Sequence, residues 1–274
     1  MPEGDTVWLA ARRMHAALAG KVLRRSDFRV PSLATVDLSG RTVREFVSRG
    51  KHMLLRLDDG RTLHTHFEMD GSWHLYRPGE RWRGGAGHQV RVVLETDDAV
   101  AVAYRMPVVE LLPTAAEDEV VGHLGPDVCG PDWDLDEAVR RLRERPDREV
   151  GPALLDQRNL AGIGNLYKAE VLFLRGVTPW TPVGEVADLP ALVALARRLV
   201  FANRERVSQA TTGDTRPGRD HWVYGRDRRP CLRCGTPIRM ADQGEPEHPE
   251  QARVTFWCPH CQRGPAPDGA AGGA

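Results

Sequence analysis

The chain has 274 residues, 41% of them hydrophobic, which is enough to bury a real core and to build more than one compact unit. Lysine plus arginine number 38, aspartate plus glutamate also 38, and the formal net charge is zero. No apolar run is long enough to cross a bilayer, and Glu3, Asp5, Arg12 and Arg13 interrupt the stretch that a signal peptide would need. A helical membrane span and a secretory leader are therefore excluded as readings, and a cytosolic globular protein is expected.

In chain order, the first element is a helix. Asp5 is a good N-cap, apolar residues recur at Val7, Leu9, Ala10, Met14, Ala17 and Leu18, and Gly20 suits the end, so a helix is expected over Thr6–Ala19. From Val22 to about Leu112 the texture turns to short β-type runs, VREFVS, KHMLLRL, RTLHTHF, SWHLY, QVRVVLET and AVAVAYRM, parted by the turn signals DDG, RPGE and TDD. That pattern predicts an antiparallel β-sandwich behind one helix, over residues 2–115. The acidic, Gly/Pro-rich stretch GPDVCGPDWD reads as a boundary, with a linker over 116–131.

Beyond it the periodicity is helical across 132–215: Asp134–Arg145, then GPALLDQ, Leu166–Arg175, and roughly Leu189–Gln209. A short basic, cysteine-bearing unit follows over 224–264, and the apolar-poor tail 265–274 is expected to be flexible. The fold class is α+β.

Charge is unevenly spread. Acidic residues concentrate between Glu110 and Glu137, whereas Arg24, Arg25, Arg29, Arg41, Arg44, Arg49 and Lys51 gather early and Arg216, Arg219, Arg226, Arg228, Arg229, Arg233 and Arg239 late. The two basic ends could form one positive groove with the acidic stretch facing away, or they could be an ordinary solvated surface.

Four of the five cysteines form two C-x-x-C pairs, Cys231/Cys234 and Cys258/Cys261. In a reducing compartment, two such knuckles around a ribbon suit one tetrahedral Zn²⁺ with no open position for a catalytic water. Disulfide pairing and a Cys/His site using His260 or His248 are the alternatives. The segments IRM and RVTFW read as the ribbon's strands. Cys129, without a pair, reads as a buried structural thiol. At Gly162-Ile163-Gly164-Asn165 two apolar helical stretches meet. Glycines permit positive φ there and Asn165 opens the next helix at its positive end, which suits a phosphate site or a plain capped turn.

PEG at 2–4, SRGKHMLL around Lys51, LGPDV at 124–128, LLDQRNLAGIGNLYKAEVLF at 154–173 and RVTFWCPHCQ at 253–262 together resemble the formamidopyrimidine-DNA glycosylase/endonuclease VIII family. The resemblance runs from Pro2 to Gln262, with the motifs in the family's order, and PEG rather than PEL places it nearer endonuclease VIII. It implies a β-sandwich domain, a helix-two-turn-helix domain and a zinc-finger hairpin, acting as a monomer on damaged DNA held between the halves. The activity it implies is excision of oxidised bases, pyrimidines first, followed by β,δ-elimination at the abasic site.

By that resemblance Pro2, exposed once Met1 is trimmed, is the nucleophile. An α-amine has a reference pKa near 8, so a neutral fraction exists at pH 7, and an iminium at C1′ acidifies the C2′ proton for elimination. Glu3 is the proton-transfer partner, or a helix-dipole acid; Lys51 the proton donor for β-elimination, or a surface lysine. Arg253 matches the finger arginine that grips phosphate, Asn165 with Gly164 a DNA-phosphate contact, and Met69 the wedge that fills the hole left by an extruded base, or a core residue. Asp5-Thr6 stands where the better-known members carry Pro-Glu, and Glu68 and Asp70 flank Met69 with negative charge. Two other readings remain: a catalytically inactive zinc-ribbon protein that binds damaged DNA, and a metalloenzyme using His64, His66 and Glu68, which alternate along one strand.

Overall fold

A computed structural model describes residues 2–244 and 252–267, and the chain separates into two units at His123/Leu124. The first begins with α1 (Gly4–Leu18), whose Val7, Ala11, Met14 and Leu18 lie three or four apart and are all buried. The helix starts earlier than expected. Glu3, in extended conformation, is its N-cap, and the Glu3 carbonyl accepts the Val7 N–H at 3.0 Å. Asp5 falls inside the first turn, where its carboxylate accepts the Thr6 N–H at 2.7 Å and its charge suits the positive helix end. Ala19 leaves the helix and Gly20, at φ +77°, turns the chain away.

Eight strands follow: β1 (Arg25–Phe28), β2 (Val43–Arg49), β3 (His52–Leu57), β4 (Arg61–His66), β5 (Ser72–Tyr76), β6 (Val90–Glu95), β7 (Val100–Tyr104) and β8 (Val108–Pro113). They form two four-stranded sheets, ordered β1-β6-β7-β5 and β2-β3-β4-β8, with every pair antiparallel. The period of two sets the layers. Met53, Leu55 and Leu57 of β3 join Phe46, Leu63 and Val109 from their own sheet, Val92, Leu94 and Trp73 from the other, and the apolar face of α1 in one core. Each such side chain contributes about 1.5–3 kcal/mol by leaving water. The opposite face of β3 and β4 carries His52, Arg56, Thr62, His64 and His66, which places polar chemistry on the second sheet's outer side. Two strands escaped sequence patterning: β1, only four residues long with Phe28 alone buried, and β8, an edge strand ending in Pro113, where a missing N–H is tolerated.

The 116–131 segment is not a free linker. Glu117 is buried and its carboxylate accepts two N–H bonds from Arg56 at 2.8 and 2.6 Å, and a short helix α2 (Asp118–Val121) follows. From Leu124 the chain belongs to the second unit: Leu124, Val128 and Cys129 are buried, and Asp127 bridges Ala161 in parallel. The apolar residues within this Gly/Pro-rich stretch pull it into a core.

The second unit holds α3 (Leu135–Arg143), α4 (Val150–Leu155), α5 (Asn165–Arg175) and α6 (Leu189–Asn203). Asp134 caps α3 by accepting the Glu137 N–H at 3.0 Å, and Asp188 caps α6 by accepting the Ala191 N–H at 3.0 Å. The last helix stops short of Gln209 because the Asn203 side chain folds back and accepts the Ala210 N–H at 2.9 Å. α5 is buried from Asn165 through Phe173. Glu170 on it accepts the N–H groups of Trp222, Val223 and Tyr224 at 2.8–2.9 Å and the Thr211 hydroxyl, tying the 211–224 segment to the helix. The ribbon is the antiparallel pair β9 (Arg239–Gln243) and β10 (Arg253–Trp257). The ribbon's tip with His248, and the end of the tail from residue 268, lie outside the described residues.

Candidate active site and metal centre

Pro2 is partly buried and lies immediately ahead of the α1 N-cap. Glu3 beside it is 1% exposed, so a carboxylate is held out of water next to Pro2. Lys51 follows Gly50, whose φ of +57° makes the β2–β3 reversal, and stands one residue before His52 at the start of β3. His52 pairs with His66, the last residue of β4. Lys51 and the turn after His66 therefore leave the sheet at the same end. That turn carries Met69 at 58% exposure, which removes the core-residue reading. Glu68 in it adopts φ +47°, and Gly71 closes it by donating to the Phe67 carbonyl at 2.8 Å. Only glycine fits at 71, because a Cβ would lie 2.7 Å from that same oxygen.

His64 and His66 do share a face, yet they do not form a metal triad with Glu68. Glu110 accepts a hydrogen bond from His64 Nδ1 at 2.9 Å, and His64 Nε2 is 2.8 Å from His52 Nδ1. With neutral rings, the carboxylate fixes the order: His64 donates from Nδ1, and its Nε2 accepts from His52 Nδ1–H. His66 packs against His52 with ring centroids 4.7 Å apart, and its Nδ1 accepts the Glu68 backbone N–H at 3.1 Å. Burial first, then the charges of the neighbouring histidines and Lys51, hold His52 down at about 3. Burial and the Lys51 charge hold His66 at about 4. Lys51 thus stands beside imidazoles that stay neutral at physiological pH.

In the second unit, Asn165 is the first residue of α5 and is buried; its Nδ2 donates to the Val254 carbonyl at 2.7 Å. This bond sets Asn165 beside Arg253, the exposed first residue of β10, and leaves the amide one further N–H. Lys168, one turn on and 1% exposed, donates to the Thr255 hydroxyl at 2.6 Å, so α5 grips β10 twice. The left-handed conformation expected of the glycine turn belongs to Gly162, at φ +100°; Gly164 is extended, as any residue could be. Gln157 builds the turn, accepting the Gly162 N–H and donating to the Ile163 carbonyl, both at 2.9 Å.

The four Sγ atoms of Cys231, Cys234, Cys258 and Cys261 lie within 4.8 Å of one another, the one such cluster of His, Cys, Asp or Glu ligands among the described residues. The Cys231–Cys261 and Cys234–Cys258 separations of 3.9 and 3.5 Å bracket the about 3.8 Å that tetrahedral zinc with Zn–S near 2.3 Å requires. Burial raises the Cys258 thiol to about 11 and pushes Cys261 up, while at Cys234 burial is outweighed by bonds from Thr236 and from the Cys261 and Cys258 thiols together, which bring it to about 6. A divalent cation is what such a set of thiols accommodates when deprotonated together. The centre is locked to α5: Gln262 accepts the Cys258 N–H and donates to the Val177 carbonyl just past the helix end.

The formamidopyrimidine-DNA glycosylase N-terminal domain matches residues 1–107, and the H2TH domain of the same glycosylase matches 124–199. A probable endonuclease 8 2 of Streptomyces coelicolor is 60% identical over 269 residues, covering 97% of this chain and 96% of that protein. The chain belongs to the formamidopyrimidine-DNA glycosylase/endonuclease VIII family. Within it, the DNA-(apurinic or apyrimidinic site) lyase Nei2 of Mycolicibacterium smegmatis is 45% identical over 96% of this chain and 99% of its own. An endonuclease 8 of Escherichia coli is 32% identical over 96% of this chain, which sets the chain on the endonuclease VIII side. The fold is shared with MutM in complex with DNA containing carbocyclic 8-oxo-G, at a TM-score of 0.79 and 22% identity over 96% of this chain and all of that one.

Against this family background, sequence reasoning missed three features. The Glu110–His64–His52 array was hidden because its members come from three strands, although His52 directly follows Lys51. The Lys168–Thr255 and Glu170 braces join residues far apart in the chain, and a buried Lys or Glu inside an apolar helix is their one visible signal. Much of the early basic cluster is spent on ion pairs, Arg24 with Asp97, Arg25 and Arg29 with Asp27, and Arg41 with Asp59. The acidic stretch likewise does not simply face away, since Glu110 and Glu117 are built into the second sheet's polar face.

Proposed function

We propose that the protein excises oxidised bases, pyrimidines among them, from DNA and then cuts the strand at the abasic site it has made. The observation that carries the reading is the Pro2–Glu3 pair: a proline at the positive end of α1, an amine once Met1 is removed, with a carboxylate 1% exposed beside it. The helix end disfavours a second positive charge, which raises the share of neutral amine. The Pro2 nitrogen attacks C1′ of the damaged nucleotide, the C1′–base bond breaks, and the base leaves with a proton handled by Glu3. The C1′–O4′ bond then opens as O4′ takes a proton, leaving an iminium that acidifies the C2′ hydrogen; loss of that proton expels the 3′ phosphate, and a second elimination expels the 5′ phosphate.

Lys51 donates protons during the first elimination, in a neutral imidazole setting that does not repel its charge. Arg253 and the remaining Asn165 N–H hold phosphate, and Met69 fills the space of the extruded base. The four cysteines hold one Zn²⁺, whose chemistry here is to cross-link the ribbon. Support for active rather than vestigial machinery comes from the enzyme names of relatives that align along nearly the full chain.

Borohydride reduction tests the reading. With duplexes carrying an oxidised pyrimidine or an abasic site, the protein beginning at Pro2 is expected to become covalently attached to DNA, and a form acetylated or extended at Pro2 is not. A form blocked at Pro2 that traps and nicks as well as the native one removes Pro2 from the mechanism. Absence of trapping on every such duplex leaves the DNA-binding-only reading in its place.

A further inference from the structure

Between β5 and β6 the chain runs Arg77-Pro-Gly-Glu-Arg-Trp-Arg-Gly-Gly-Ala-Gly-His-Gln89, a segment without long regular structure of the kind that compact domains keep when it has a use. It is well fixed. The Tyr76 hydroxyl accepts the N–H groups of Arg83 and Gly84 at 3.1 and 2.8 Å, and Trp82 stacks on the Tyr76 ring at 6.4 Å. Gly84 lies on Tyr104 so closely that a Cβ would stand 2.5 Å from the ring. At the far end Gln89 accepts from Ala86 N–H and from Arg105 Nη1, both at 3.1 Å. The Arg105 Nε donates to the Asp70 carbonyl at 3.3 Å, so one side chain ties this loop to the Met69 turn.

Its charges lack the pairing that many other basic residues of the unit have. Lys21, Arg24, Arg25, Arg29, Arg41, Arg56 and Arg61 each have a carboxylate within 3.3 Å. Among the described residues, Arg77, Arg81, Arg83, Arg91 and Arg105 have none within salt-bridge distance, and Arg77, Arg81 and Arg83 are exposed. Glu80 spends its carboxylate on the Arg77 backbone N–H at 3.0 Å. A fixed backbone that gathers uncompensated guanidinium groups repels itself unless an anion lies across it.

We propose that Arg77, Arg81, Arg83 and Arg91 form a phosphate track that grips the DNA duplex arm beside the lesion, continuing the surface on which Met69 sits. The partner chemistry is a regular array of phosphates, which guanidinium forks meet with paired hydrogen bonds. The track rests on the reading that Met69 faces DNA. It adds to that reading a second footprint, outside the lesion, that supplies affinity and no chemistry.

The test compares the full chain with its R81Q/R83Q double variant. Binding is measured by anisotropy on a duplex centred on an abasic-site analogue and on one longer by a helical turn at each end, across a range of salt. On the long duplex the variant is expected to bind about tenfold more weakly and to lose about two from the slope of log affinity against log salt, as for two lost phosphate contacts. On the short duplex both proteins should bind alike, and trapping at saturating DNA should be unchanged. Equal slopes on the long duplex, or an equal loss on both duplexes, overturn the track. Tighter dependence on these arginines for an acidic peptide than for the long duplex overturns it as well. If native protein fails to trap DNA yet shows the length-dependent loss, the lyase reading falls and the track stands.

Discussion

In the first unit the candidate reacting groups stand where the chain begins or reverses, at Pro2, at the Gly50–Lys51 hairpin and at the Met69 turn. In the second unit the candidate phosphate grips, Asn165 and Arg253, stand where two distant segments are clamped, by Asn165–Val254, Lys168–Thr255 and the four cysteines. Removing a reacting group in the first unit should therefore cost chemistry and leave the fold standing. In the second, the fold should fail first and function with it.

The sharpest break of this contrast is at the metal centre. On the proposal that the four cysteines hold one zinc, Cys258→Ser is expected to lower bound zinc from one per chain to near zero and to abolish DNA binding, since structural zinc sites carry apparent binding free energies on the order of 10 kcal/mol. Elemental analysis with circular dichroism reads it, and a variant that keeps its melting temperature and binds DNA would erase the contrast. Next in size is Glu170→Ala. Three backbone N–H groups lose their acceptor, that of Val223 buried and those of Trp222 and Tyr224 partly so, at about 1–3 kcal/mol for a buried one, so denaturant unfolding should show about 2–5 kcal/mol less stability, with chemistry on trapped substrate intact in the folded fraction.

The first unit should respond to acid more than to such truncations. His52 and His66 sit near 3 and 4 when folded and near 6.5 when unfolded. Between those values the unfolded chain binds more protons, so stability falls as pH drops from about 6.5 towards 4, at no more than about 1.4 kcal/mol per pH unit for each histidine. His52→Gln with His66→Gln should flatten that slope; urea melts at several pH values that show the same slope in both proteins would mean other groups set it.

The contrast also explains what could be read from sequence. Alternation in KHMLLRL and RTLHTHF, the helical periods and the paired cysteines are local patterns, and the strands, helices and thiol cluster follow them. Roles for Pro2, Glu3 and Lys51 were proposed only through motif resemblance, because a buried carboxylate near the start of a helix leaves no period. The helix start moved from Asp5 to Glu3 because both acids satisfy the same first-turn preference, and local chemistry does not choose between them. His64 was visible only as part of an alternative metal reading: alternation told its face, while its partners on β3 and β8 depend on register, which patterning does not encode. The α5–β10 clamps depend on tertiary packing in the same way.

The smallest effect on stability separates the two roles a methionine can play at one end of the sandwich. Met69 is 58% exposed on its turn, whereas Met106 is 2% exposed, with its sulfur close under Gly71. Met106→Ala empties packed volume and should cost about 2–5 kcal/mol. Met69→Ala removes little that is buried and should change stability by no more than about 0.5 kcal/mol. If Met69 is the wedge, the substitution should nonetheless slow base release from duplex about tenfold, since the energy of holding an extruded base open is a few kcal/mol. Nicking of a pre-formed abasic site, which has no base to extrude, should hold. Equal slowing of both steps would place Met69 with the general DNA contacts, and no slowing of either would leave an exposed side chain on a strained turn without a part in the reaction.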